Sequence, residues 1–247
     1  MRRNGADVAV SDQAVLIWEP RRVVPSYAVP QADIVAELEP APPGPEPEYR
    51  ATGFGPDSSP VLDPSVPFAV HSAAGQALTV AGIQGSGFLL ADPDVAGYVV
   101  LDFSAFDWWE EDEPIMGHPR DPLHRIDVRP GSRPVRVEHD GEVLAESSCC
   151  QLLFEGTFGF PRYYIPREDV RVELSVSDLH TTCAYKGHAT HYSARLATGG
   201  ELPNIAWSYD EPLEDAMRVR AIVCFYQERL DLWVDGKPVA RPHTPWS

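Results

Sequence analysis

The stretch LLFEGTFGFPRYYIPREDVRVEL (Leu152–Leu174) has an echo 136 residues earlier in LIWEPRRVVPSYAVPQADIVAEL (Leu16–Leu38). Aligned without a gap, Leu16/Leu152, Glu19/Glu155, Pro25/Pro161, Tyr27/Tyr163, Pro30/Pro166, Asp33/Asp169, Glu37/Glu173 and Leu38/Leu174 are identical. At roughly one chance match in fifteen positions, average residue usage would give one or two. A second pair follows in the same order: WEEDEPI (Trp109–Ile115) with WSYDEPL (Trp207–Leu213), and HRIDV (His124–Val128) with ERLDL (Glu228–Leu232). A tandem duplication is the simplest account. It divides the chain into modules 1–131 and 132–247, joined near Arg129–Pro134.

Each module reads as mainly β. VRVEHDGEVLAES (Val135–Ser147) alternates apolar and polar residues and turns at Asp140-Gly141, and LDLWVDGKPVA repeats the device at Asp235-Gly236. A DG pair between alternating runs is a strong hairpin signal. DVRVELSV places Val170, Val172 and Leu174 on one strand face. In EPLEDAMRVRAIVCFYQ, Pro212 suits a first helical turn, and Leu213, Met217, Arg220 and Cys224 fall at helical spacing. The expectation is two small antiparallel β domains, each with a short helix near its end. Module one also carries EPAPPGPEPEYRATGFGPDSSP (39–60), whose Pro and Gly density predicts an exposed loop.

The bulk composition narrows the partners. The 247 residues carry 37 acids against 20 bases, a formal charge of −17. Such a field repels phosphate backbones and anionic lipid, so nucleic acid and membrane are not expected partners. No apolar run is long enough to span a bilayer. MRRNGADVAV lacks the apolar core of a secretory signal. Cys149, Cys150, Cys183 and Cys224 form no CxxC pair or zinc spacing, so the expectation is a cytoplasmic protein with reduced thiols and no metal or cofactor. Oligomeric state stays open.

The densest chemistry lies in TTCAYKGHATHYS (Thr181–Ser193). Module one has no thiol, lysine or phenol at the corresponding place, only LDPSVPFAVHSAAGQ. Strand alternation would put Cys183, Tyr185 and Gly187 on one face and Lys186 and His188 on the other. Lys186 and Tyr185 can line one pocket only at a strand end or at a bulge by Gly187. The alternative for Lys186 is a solvated edge-strand lysine, and for Cys183 a buried structural thiol. His188 and His191 lack a third ligand for a metal. In PRYYIPREDV two prolines stiffen the backbone around Arg162, Tyr163 and Tyr164. Tyr163 recurs in module one, whereas Arg162 and Tyr164 become Ser26 and Ala28 and are site candidates. By the second alignment Trp207 is framework and Tyr209 is free for function.

These segments, with AWSYDEP and FYQERLDLWVDG, resemble the domain-of-unknown-function family 427 over about Arg133–Val239. The first module resembles a divergent copy. Alanine follows Cys183 where the family usually has proline, and His191 stands where it tends to have an aromatic residue. The resemblance implies a β-tent-like fold, similar to methionine sulfoxide reductase B and the cereblon drug-binding domain, without their zinc because the cysteine pairs are missing. A shared fold does not settle function.

Three readings remain. In one, a second-module pocket binds an anionic or aromatic metabolite through Lys186 and Arg162, walled by Tyr164, Tyr185 and Tyr209, with Cys183, Trp207 and Tyr192 as further contacts. Chemistry there would use Lys186 as a base of depressed pKa and Tyr164 or Tyr209 as proton donor. The second reading is a pure binding module. In the third, a structural or interaction protein, the pocket is filled by the protein's own side chains.

Overall fold

A computed structural model describes residues 1–42, 51–52, 61–244 and 246–247. Most of the expected 39–60 loop lies outside them. Strands account for 48% of residues and helical turns for 8%, so the chain is mainly β. Among the described residues no helix is long and apolar enough to cross a membrane. The chain forms two compact units, Met1–Asp121 and Pro122–Ser247. The division precedes the expected 131–132 boundary because Ile126–Pro130 pairs with Gln151–Glu155 and so belongs to the second unit.

The first unit is built on a six-stranded antiparallel sheet. Its spatial order is Val15–Ile17, Ser26–Pro30, Tyr98–Leu101, Ile83–Leu90, Gly75–Val80, Leu38–Pro40. The second unit has a seven-stranded sheet in the order Ile126–Pro130, Gln151–Glu155, Arg162–Ile165, Val223–Phe225, Glu201–Ser208, Gly187–Arg195, Glu173–Cys183. The last six strands repeat the first sheet's order, and the pairing repeats too. Val15 pairs with Ala28 and Leu16 with Tyr27, as Gln151 does with Tyr164 and Leu152 with Tyr163. The bridge Ala9–Ile34 recurs as Ala145–Val170, again at an offset of 136.

The second expected alignment is corrected. Trp109 pairs with Pro114 in a tight hairpin, as Trp233 does with Pro238. Trp109 therefore matches Trp233, not Trp207. Register gives Trp207 a different counterpart: it pairs with Cys224, which pairs with Tyr164, just as Phe88 pairs with Val100 and Val100 with Ala28. Phe88 stands where Trp207 does, and Leu90 where Tyr209 does.

Both DG turns form as the sequence predicts, with positive φ at Asp140 and Gly141 (48° and 82°) and at Asp235 and Gly236 (53° and 71°). The expected helix is instead a 3-10 run at Glu214–Val219, followed by strand Val223–Phe225. Its period of three turns Ala216 and Val219 inward and leaves Met217 48% exposed, so the 3.6-residue stripe does not form.

The core of the second unit lies between the seven-stranded sheet and a smaller one in the order Glu142–Ser147, Val135–His139, Asp231–Val234, Lys237–Val239. Val135, Leu144 and Leu232 meet Tyr163, Ile165, Tyr192, Val223 and Phe225 there. Alternation along the large sheet leaves Arg162, Tyr164, Cys224 and Trp207 on its opposite face.

Candidate functional site

Cys183 pairs directly with Gly187, so Ala184–Lys186 form the three-residue tip of a hairpin instead of continuing a strand. The alternation that would have separated Tyr185 from Lys186 stops at Cys183, and both side chains are buried. Gly187 has φ +94°, and a Cβ there would lie 3.3 Å from the Glu211 carbonyl oxygen, so glycine fits where other residues would be strained. The Leu213 N–H donates to the Lys186 carbonyl at 3.2 Å and fixes the tip against the following segment.

The Lys186 ammonium is 2.5 Å from Glu155 Oε2, with both side chains more than nine-tenths buried. Glu155 Oε1 lies 3.4 Å from His124 Nε2, whose ring stacks on Tyr185 at a centroid distance of 3.6 Å. Nε2 makes no hydrogen bond of acceptable geometry. Burial alone would raise the Glu155 pKa, but the Lys186 charge and the neighbouring donors outweigh it and lower it to about 2. Burial alone would lower the Lys186 pKa, yet the charges around it, Glu155 among them, raise it. A lysine of depressed pKa is therefore not what the structure contains, and the exposed edge-strand alternative also fails.

Glu155 did not stand out in the sequence because it recurs as Glu19 and looks like scaffold. The recurrence has a physical basis. Glu19 accepts from the Ala73 N–H (3.0 Å) and the Ser72 hydroxyl (3.1 Å) and contacts His71 Nδ1 (3.1 Å). Leu38 pairs with Val80 as Leu174 pairs with Ala194, an offset of 114 that places Ser72 opposite Lys186. The same carboxylate holds the same loop in both units, and the second unit meets it with a buried lysine where the first offers a serine and a histidine.

Tyr164, Cys224, Trp207 and His191 form a cross-strand row, each paired with the next. Tyr164 is fully buried, and its hydroxyl accepts from Trp207 Nε1 at 3.3 Å. Arg162, on the same face, makes a bidentate pair with buried Glu228 (2.8 and 2.6 Å). Its guanidinium lies over Phe160 (4.7 Å) and Trp207 (5.3 Å). Tyr209 lies buried two residues beyond Trp207. Burial pushes the Tyr164 and Tyr209 phenols well above their usual pKa and the Cys224 thiol to about 12. Such groups are poor proton donors at neutral pH.

The structure thus brings Arg162, Tyr164, Trp207 and Tyr209 to one sheet face, with Lys186, Tyr185 and Cys183 at the hairpin tip. Tyr192 is the exception: its ring belongs to the core on the other face, and its hydroxyl meets Arg167 Nη2 (2.5 Å) and Ser208 Oγ (3.0 Å). His188 is exposed, while His191 is buried with Nε2 2.8 Å from Thr181 Oγ1. Among the described residues no group of three or more His, Cys, Asp or Glu could hold a metal. In the first unit the equivalents of Tyr164, Trp207 and Cys224 are Ala28, Phe88 and Val100, an apolar cluster packed with Ala77 and Leu90.

The second unit is therefore a two-sheet β domain with buried cation–carboxylate pairs on the outer face of its larger sheet. Residues 127–236 match the family model described as a domain of unknown function (DUF427). No curated protein matches the chain.

Proposed function

We propose that the second unit is a non-catalytic small-molecule-binding module whose ligand face is the outer side of the seven-stranded sheet. One observation carries this reading: two strands and a hairpin tip deliver Arg162, Tyr164, Trp207, Tyr209 and Lys186 to one sheet face, where the first unit packs an apolar cluster. Buried cations and phenols are costly to keep unless they are paired or used. A lysine held charged by Glu155 offers a fixed positive pole and no base, which favours binding over turnover. Because Arg162 and Lys186 each already face a carboxylate, a neutral aromatic ligand with polar edges fits better than a strongly anionic one.

Thermal-shift screening of aromatic and anionic metabolites tests this, comparing wild type with Lys186→Met/Glu155→Gln, which removes both charges together. A compound that stabilises only the wild type and is recovered unchanged supports the reading. No shift, equal shifts in both proteins, or consumption of the compound would defeat it.

We also infer that the two units descend from one duplicated domain. The shared strand order and the constant offset of 136 through the first strands support this. Replacing Gly5 and, separately, Gly141 with valine tests it. These residues occupy the same turn in each unit, with φ of 79° and 82°. Descent from one domain predicts similar strain at both, and a large loss at one with none at the other would count against it.

A further inference from the structure

The segment after the last strand lies over the guanidinium end of the ligand face. The Thr244 hydroxyl donates to Glu228 Oε1 at 2.8 Å, the same oxygen that receives Arg162 Nη2. The Trp246 ring packs on Phe158 with centroids 5.5 Å apart, and Phe158 in turn lies beside the Arg162 guanidinium (5.8 Å). Beyond these contacts the segment is held by the exposed ion pair Arg241–Asp231 at 2.7 Å. Among the described residues its main-chain hydrogen bonds stay local: the Ser247 N–H donates to the Thr244 carbonyl, the Thr244 N–H to Ser247 Oγ and the Trp246 N–H to Thr244 Oγ1, and the Pro242 carbonyl accepts from the Ser247 hydroxyl. Few anchors and a 41%-exposed indole place this segment at the low-stability end of the molecule.

The contacts also define what the site accepts. Both terminal Arg162 nitrogens are committed to Glu228, and it is the carboxylate that takes a third hydrogen bond, from the Thr244 hydroxyl. The surrounding surface is aromatic, formed by Phe158, Phe160 and Trp207. We propose that Thr244 and Trp246 occupy in cis a binding site for an aromatic ring carrying a hydrogen-bond donor, with the ring on Phe158 and the donor on Glu228. This rests on the ligand-face reading and names its ligand class: aryl amines, phenols or indoles, neutral or cationic, and not aryl carboxylates. The segment then competes with the ligand, and the apparent affinity falls by the fraction of time the site is covered.

Titration calorimetry with tryptamine as probe and indole-3-acetate as its anionic counterpart tests this on wild type, Trp246→Ala and Trp246→Ala/Phe158→Ala. Trp246 is at the surface, so its removal leaves the core intact. The expected result is tryptamine binding about tenfold tighter to Trp246→Ala than to wild type. That binding should be lost when Phe158 is also removed, and indole-3-acetate should bind more weakly. Equal affinity for wild type and Trp246→Ala, no binding to Trp246→Ala, or binding that survives loss of Phe158 would overturn it. A Lys186-dependent thermal shift that persists unchanged in Trp246→Ala would overturn this inference alone and leave the ligand face standing.

Discussion

At the residue scale, Lys186 and Glu155 stand or fall together. Lys186→Met leaves a buried carboxylate without its partner and should cost about 3–5 kcal/mol in urea unfolding. Lys186→Met/Glu155→Gln should recover most of that loss, because no charge is left buried. An unstable double mutant would show that the site needs the ions themselves. The pH dependence follows from the carboxylate. Glu155 falls from 4.5 to about 2 on folding, so its contribution is fully present above pH 4.5 and drains away as pH drops towards 2. In Glu155→Gln the acid limb of the stability curve should flatten over that window, as followed by unfolding at successive pH values. Lys186, Arg162 and Tyr164 were legible as candidates because the first unit has other residue types at the corresponding positions. Glu155 was not, because it aligns with Glu19 and so reads as scaffold, and a sequence does not show which cation a carboxylate faces.

At the element scale, the Glu173–Cys183/Gly187–Arg195 hairpin decides whether Tyr185 and Lys186 share a location. Gly187→Ala strains a positive φ and brings a Cβ against the Glu211 carbonyl, for an expected cost of about 1–3 kcal/mol. Gly141→Ala has a similar φ but open space around it, so it should cost about 1 kcal/mol. Comparing the two melting temperatures separates backbone strain from crowding, and equal losses would refute the crowding. The DG turns were readable because their chemistry is local: two residues of positive φ between alternating strands. The Ala184–Lys186 tip carries no such signal and forms because Cys183 and Gly187 meet across the ladder. The short helix expected after Pro212 forms as a 3-10 run at Glu214–Val219 for a related reason. Spacings of three and four look alike over six residues, and packing of Ala216 and Val219 selects the former.

At the scale of the whole molecule, Pro122–Ser247 has its own core between two sheets and should fold when produced alone. A fragment starting at residue 132 loses strand Ile126–Pro130 and His124, which exposes the Gln151–Glu155 edge and uncovers Glu155. It should unfold at lower denaturant than the 122–247 fragment, and equal midpoints would show that the strand adds nothing. The sequence by itself determined the mainly β class, the hairpins at Asp140-Gly141 and Asp235-Gly236, the internal echo at offset 136 and the stretch holding Lys186. All of these are written in local alternation, turn residues or identity at fixed spacing. Only the tertiary structure decided that Trp207 answers to Phe88, that Tyr192 turns into the core, and that Arg162 and Lys186 each face a carboxylate. Those outcomes depend on strand register and on contacts between residues dozens of positions apart, where one step along a strand moves a side chain to the other face.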